Sequence, residues 1–197
     1  MNDLRSLLLA LAAALLALPA CQAESGPPPL EGARMRNAFN LVSHEGRRVA
    51  DTAYAGKYRI VYFGYTFCPD VCPVDLQLIS AALRQFEGSD PGRAAKVQPI
   101  FITTDPARDT PEVLADFARN FHPRLLALTG TAEEIGRTGR EHGIYFTRRE
   151  GTAEGAPYLL DHSRYAVLYG PEGKPVSMLP HDEGVPGIVQ VLDRWVR

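Results

Sequence analysis

The chain has 197 residues, 45% of them hydrophobic, and a formal net charge of −2. That length suits one domain plus a targeting segment, and the apolar content is ample for a core. The charge balance excludes the cationic excess that a nucleic-acid partner demands, so no nucleic-acid binding is expected.

Residues 7–18 are continuously apolar. The run is shorter than the roughly 20 residues of a membrane span but has the length of a signal-peptide core, preceded by Arg5. It closes in Leu18-Pro19-Ala20-Cys21, which resembles a bacterial lipoprotein signal box. That resemblance implies cleavage before Cys21 and lipidation of its thiol, with an uncleaved anchor as the alternative. Either form puts the domain in an oxidising compartment, on the periplasmic side of a bacterial envelope membrane. The expected organisation is a signal peptide over 1–20, a tether over 21–35 and one domain over 36–197. Residues 22–33 have linker composition and no periodicity.

Phe39-Asn40-Leu41-Val42 reads as a short strand, His44-Glu45-Gly46-Arg47 as a turn and Val49 as the start of a return strand, an N-terminal hairpin. Ile60–Tyr65 is an apolar, aromatic run that reads as a buried strand. Leu76, Ile79, Leu83 and Phe86 then recur at helical spacing, with Pro73 suited to the first helical position and Cys72 at or beside the N-cap. After a break at Ser89-Asp90-Pro91-Gly92, Val97–Thr103 is the next strand. Thr110 and Pro111 open a helix to about Asn120. Leu125–Leu128 suggests a short strand, and Thr131 with Glu134 a capping box for a helix to about Glu141. Ile144–Thr147 is a further strand, Gly151–Pro157 a flexible small-residue loop, and Arg164–Tyr169 with Val176–Leu179 a hairpin. Val185–Val196 closes the chain as a helix. Strands alternating with helices, then a hairpin and a helix, predict a single α/β domain of thioredoxin-like order with an N-terminal β-hairpin extension.

Within this order the chemistry concentrates at Cys68-Pro69-Asp70-Val71-Cys72-Pro73, between the first long strand and its helix. A residue before proline avoids the helical region, so neither Cys68 nor Cys72 is expected to be helical. A helix N-terminus favours thiolate over thiol, and thiolate is both nucleophile and metal ligand. With Cys21 taken by the anchor, these are the only thiols of the domain. A disulfide across so short a loop is a poor staple, which points to a redox pair or a soft-metal site over a structural one. The flanking prolines and Asp70 speak against two merely buried cysteines.

Tyr62 to Pro73 resembles the signature of the Sco (SenC) copper proteins, which are thioredoxin-like, membrane-tethered and assist assembly of cytochrome c oxidase. Thr104-Asp105-Pro106-Ala107-Arg108-Asp109-Thr110-Pro111, the segment Phe121-His122-Pro123 to Leu128-Thr129-Gly130-Thr131, and Leu160-Asp161-His162-Ser163 resemble three further family motifs in order. Phe67 stands where the family often has histidine. The resemblance implies copper, as Cu(I) or Cu(II), held by Cys68, Cys72 and His162, and delivery to the copper-bearing subunit of the oxidase, with a periplasmic copper donor and a thiol reductant as further partners. It leaves open a thiol-disulfide reductase using a Cys68–Cys72 disulfide. Thiolates and an imidazole form a soft set that suits copper, and zinc with a water is chemically possible. No proline immediately precedes Arg164, unlike a general thioredoxin-type enzyme. Two cysteines able to bridge should have Cα atoms within about 7 Å, with His162 arriving from another segment. His44, His122, His142 and His181 are expected at surface or capping positions. Asp161 is placed to tune the surroundings of His162, but on an extended segment the two side chains take opposite faces, against a direct hydrogen bond. Asp70 is expected to be a solvated loop carboxylate or a tuning charge, and Asp105 and Asp109 to cap and buttress the next helix.

Overall fold

The computed structural model describes residues 26–151 and 157–197. The predicted signal peptide, Cys21 and residues 152–156 of the small-residue loop lie outside the described residues.

In chain order the elements are Asn40–Ser43 (β1), Arg48–Ala50 (β2), Tyr58–Gly64 (β3), Val71–Ser89 (α1), Pro91–Ala94 (α2), Val97–Thr103 (β4), Pro111–Ala118 (α3) and Leu126–Thr129 (β5). Then come Ala132–Glu141 (α4), Phe146–Arg149 (β6), Leu159–His162 (β7), Ala166–Tyr169 (β8), Pro175–Met178 (β9) and Gly184–Trp195 (α5). Seven strands form one sheet in the order β2-β1-β5-β4-β3-β8-β9, while β6 and β7 pair only with each other. β3, β4 and β5 run parallel, and β8 returns antiparallel to β3. This is the α/β, thioredoxin-like arrangement read from the sequence, with β1 and β2 as the predicted antiparallel hairpin.

β3 and β4 are buried at every position, as strands covered on both faces are. Ile60, Tyr62 and Phe101 meet Leu76, Ile79, Leu83 and Phe86 of α1 and Ile188 and Leu192 of α5. The alternate residues Val61, Phe63, Ile100 and Ile102 meet Leu41, Leu128 and Ile135 on the other face. Local capping chemistry sets the helix starts. Thr110 accepts the Val113 N–H ahead of Pro111, and Thr131 and Glu134 form a reciprocal capping box.

Three local expectations give way. Cys72 lies in the first turn of α1 despite preceding a proline. In that turn the missing Pro73 N–H deprives no intrahelical acceptor, so the usual objection to proline in a helix does not apply. The break at 89–92 contains α2, a single turn whose Arg93 N–H is capped by Asp90. The strand foreseen at 144–147 begins two residues later, because the Ile144 N–H donates to Gly139 O and closes the end of α4. At the other end of the domain, Leu30 and Met35 of the predicted tether pack on the second core cluster, and Leu30 N–H donates to Val176 O at 3.1 Å. Among the described residues no helix is long and apolar enough to cross a membrane.

Candidate metal centre

The sheet carries β3 to a loop that must turn sharply into α1. Asp109, fully buried, fixes that loop: it accepts the Thr66 N–H at 3.0 Å, the Thr66 hydroxyl at 2.5 Å and the Thr103 hydroxyl at 2.5 Å. It braces the thiol loop, not the following helix that the sequence suggested, whose cap is Thr110. Cys68 sits in this loop and Cys72 in the first turn of α1. Both are free and buried. His162 comes from the end of β7, outside the main sheet. The two sulfurs and one ring nitrogen of His162 all lie within 4.8 Å of one another.

The two thiols are not equivalent. The Cys72 N–H, an orphan donor of the helix start, points at Cys68 Sγ at 3.4 Å. A hydrogen bond from the Cys72 thiol, aided by the Asp70 and Cys72 N–H groups, holds the Cys68 thiol well below its ordinary pKa. Cys72 is pushed up, by sharing its proton with Cys68 and by complete burial. Of the two, Cys68 is thus the one that ionises first. His162 Nε2 lies 3.2 Å from Cys72 Sγ, and its Nδ1 lies 3.1 Å from Ser163 O. A carbonyl can only accept, so Nδ1 carries the hydrogen and the Nε2 lone pair faces the sulfurs, the tautomer that a metal ligand needs. Tyr62 and Tyr65 stand edge-on to the imidazole, at 6.5 and 6.0 Å.

The SCO1/SenC family model matches residues 27–197. This chain belongs to the SCO1/SenC family. It is 41% identical over 150 residues to Protein sco1 of Schizosaccharomyces pombe, a match spanning 76% of this chain and 54% of that one. The copper-bound structure of Arabidopsis thaliana ScoI superposes with a TM-score of 0.74 at 34% identity, covering 81% of this chain and 97% of that one. Copper-bound Bradyrhizobium japonicum ScoI does so with 0.73 at 34%, covering 82% and 99%. The chain spans about half the length of the curated relatives it matches, several of which are mitochondrial.

Around the centre of this family member, the remaining candidates separate cleanly. Asp161 faces away, 3.5 Å from Arg149, as strand alternation demands. Asp70 is exposed and makes no side-chain cap to α1. Asp105 receives Arg108 and the Tyr158 hydroxyl, the latter at 2.8 Å. No other histidine joins the cluster among the described residues. His142 caps α4 as foreseen, although fully buried, and His122 is buried beside Glu87 at 3.3 Å, not at the surface. His44 hydrogen-bonds the Ala127 backbone, and His181 is half-buried, edge-on to Tyr62 at 5.9 Å.

Two residues that matter were missed in the sequence. A Cβ on Gly64 would stand 2.9 Å from Cys72 Sγ and 3.0 Å from the Phe101 ring, so only glycine lets the thiol turn rest on the end of β3. Asp75 is a fully buried carboxylate that accepts the Tyr62 hydroxyl at 3.0 Å and two N–H groups of Arg164 at 2.9 and 2.7 Å. Its signal was a charge on the otherwise apolar face of α1, one turn beyond Cys72.

Proposed function

We propose that this domain is a copper chaperone that binds one copper ion through Cys68, Cys72 and His162 and passes it to the binuclear copper site of cytochrome c oxidase during assembly. The observation that carries the reading is the convergence of two sulfurs and a correctly tautomerised Nε2 from separate segments. Two thiolates suit Cu(I), and the added imidazole lets the same set hold Cu(II). The copper-bound relatives support the choice of copper over zinc. Entry of the ion displaces the proton that Cys72 shares with Cys68, so affinity falls with acidity. The apolar run at 7–18 and the box ending at Cys21 support a periplasm-facing lipoprotein, tethered over 21–35 with its domain over 36–197. The test is copper titration of reduced protein, with Cys68→Ser, Cys72→Ser and His162→Ala beside it. One ion with a sulfur-to-copper charge-transfer band is expected in the wild type. Unaltered binding in the two serine variants would refute the site.

A second reading rests on the inequality of the thiols. A thiolate at Cys68 beside a protonated, buried Cys72 is the pairing of a dithiol reductase. Cys68 would attack a substrate disulfide and release one substrate thiolate. Cys72 would then resolve the mixed disulfide, leaving Cys68–Cys72 oxidised and both substrate thiols reduced. This would serve the cysteines of the oxidase copper site, and a Cys72→Ser variant that traps the mixed disulfide with a copper-site peptide tests it.

A further inference from the structure

We infer that Asp75 and Arg164 are positioning residues of the metal centre, a clamp that holds the His162 strand end against the Cys72 turn before any metal arrives. The inference rests on the copper-binding reading of Cys68, Cys72 and His162.

The argument begins with a weakness. β7 pairs only with β6, and an isolated two-stranded hairpin is marginal in water. No strand of the main sheet therefore pairs with the His162 strand, yet the His162 Nε2 sits 3.2 Å from Cys72 Sγ. Arg164 follows His162 by two residues, in the short link to β8. Its Nε and Nη2 donate to the two oxygens of Asp75 at 2.9 and 2.7 Å, a planar fork-to-fork pairing that fixes orientation as well as distance. Asp75 follows Cys72 by three residues on the same face of α1. One bidentate pair thus ties together the two ligand-bearing segments within a few residues of each ligand.

The same carboxylate fixes a third element. The Tyr62 hydroxyl donates to Asp75 Oδ2 at 3.0 Å, and the Tyr62 ring is the wall that the His162 imidazole meets edge-on. Asp75 is fully buried, whereas half of the Arg164 side chain is exposed. A buried ion pair adds little stability relative to apolar residues of the same shape, so its value at this spot is geometric. Lysine could not do the same work, since a point charge does not bridge both carboxylate oxygens.

The experiment compares wild type with Arg164→Lys and with the double variant Asp75→Asn/Arg164→Leu, which leaves no unpaired buried charge and keeps an acceptor for Tyr62. Three quantities are read on reduced protein: copper affinity by competition, the Cu(II)–thiolate absorption and EPR parameters, and the His162 ring resonances in metal-free samples. The expected result is one copper throughout, affinity lowered about 10–100-fold in the double variant, shifted Cu(II) spectra, and broadened metal-free His162 signals. Arg164→Lys should fall between. A double variant with wild-type affinity and spectra overturns the clamp. So does one that loses affinity with His162 signals and spectra unchanged, since that marks a general loss of stability. A wild type that takes no copper overturns the chaperone reading instead, and the metal-free His162 signals then decide the clamp alone.

Discussion

The centre is built from two regions with opposite characters. The thiols stand on a floor formed by β3, β4 and α1, where both strands are buried at every position and α1 presents an apolar stripe to them. The histidine stands on an arm, β6 and β7, in which Phe146 is half-buried and Thr147, Arg148 and Arg149 are exposed. Side chains hold the arm down: the Arg164–Asp75 pair at its root, the Tyr65 hydroxyl accepting Leu160 N–H at 3.3 Å, and Arg108 and Arg148 against Tyr158 at its outer end. Elements buried on all sides open only with the whole domain, while surface hairpins open locally. The sulfurs thus sit where the fold is most constrained, and the third donor sits where it can leave. The chaperone role proposed above would gain from that division.

The largest effect separates the floor's ligands from the arm's. Oxidation to a Cys68–Cys72 disulfide removes both sulfur donors at once and leaves a lone imidazole, so oxidised protein should take up no copper. His162→Ala removes only the arm's donor, and copper should remain, more weakly held and spectrally altered. Dialysis of oxidised, reduced and His162→Ala samples against the same limiting copper checks both. Copper retained by the oxidised sample would put the ion elsewhere.

Core truncation should come next. Phe86 is fully buried between α1 and the sheet, with the Arg93 guanidinium 5.0 Å above its ring. Phe86→Ala should lower global stability by about 3–5 kcal/mol, measured by urea unfolding, and should loosen floor and arm together. Loss confined to the arm would mean that the two regions do not share a cooperative unit.

Acid should also act on the floor. His142 packs edge-on to Phe63 at 5.2 Å and Tyr169 at 5.4 Å, and burial lowers its pKa from 6.5 to about 4. Unfolded chains take up this proton below pH 6.5, but the folded protein resists until about pH 4. Its contribution is therefore complete above pH 6.5 and is lost as pH falls to about 4, roughly 3 kcal/mol in all. Unfolding midpoints between pH 7.5 and 4 check this, and His142→Gln should flatten that limb of the profile. A parallel decline in the variant would assign the loss to other groups.

Why some of this was legible in the sequence and some was not follows from the range of each interaction. Thr110-Pro111 and Thr131 with Glu134 announce helix starts because a cap is made within four residues. Cys68, Cys72 and His162 stand out as motifs. Cys72 entered α1 against the pre-proline rule because a first helical turn waives that rule's main cost, which a residue-by-residue reading does not see. Asp75 and Arg164 are 89 residues apart, and neither alone reveals the other. Gly64 is likewise explained only by the sulfur above it. The separate pairing of β6 with β7 was hidden too, since Leu-Leu-Asp-His lacks the alternation of a sheet strand.

The smallest effect probes the outer end of the arm. The Arg108 guanidinium lies 3.7 Å and that of Arg148 3.9 Å from the centre of the Tyr158 ring, while the Tyr158 hydroxyl donates to Asp105 at 2.8 Å and its carbonyl accepts from Arg108 at 3.1 Å. Tyr158→Leu keeps the backbone bond and apolar bulk but removes two cation–π contacts, each about 0.5–1 kcal/mol at such a site, and one hydrogen bond. The free energy of local opening should fall by about 1–2 kcal/mol, which is roughly a tenfold rise in amide exchange. That rise should be confined to residues 146–149 and 159–162, with the exchange of β3 and β4 unchanged. Copper affinity should drop only a few-fold, because the root pair at Arg164 and Asp75 still registers His162. Copper should also slow exchange in the arm of the wild type more than in the floor, since the ion ties the arm to an already closed surface. Hydrogen exchange of both proteins, with and without copper, measures all of this. If Tyr158→Leu quickens exchange in β3 as much as in β7, the arm and the floor open as one, and the division of labour between them fails.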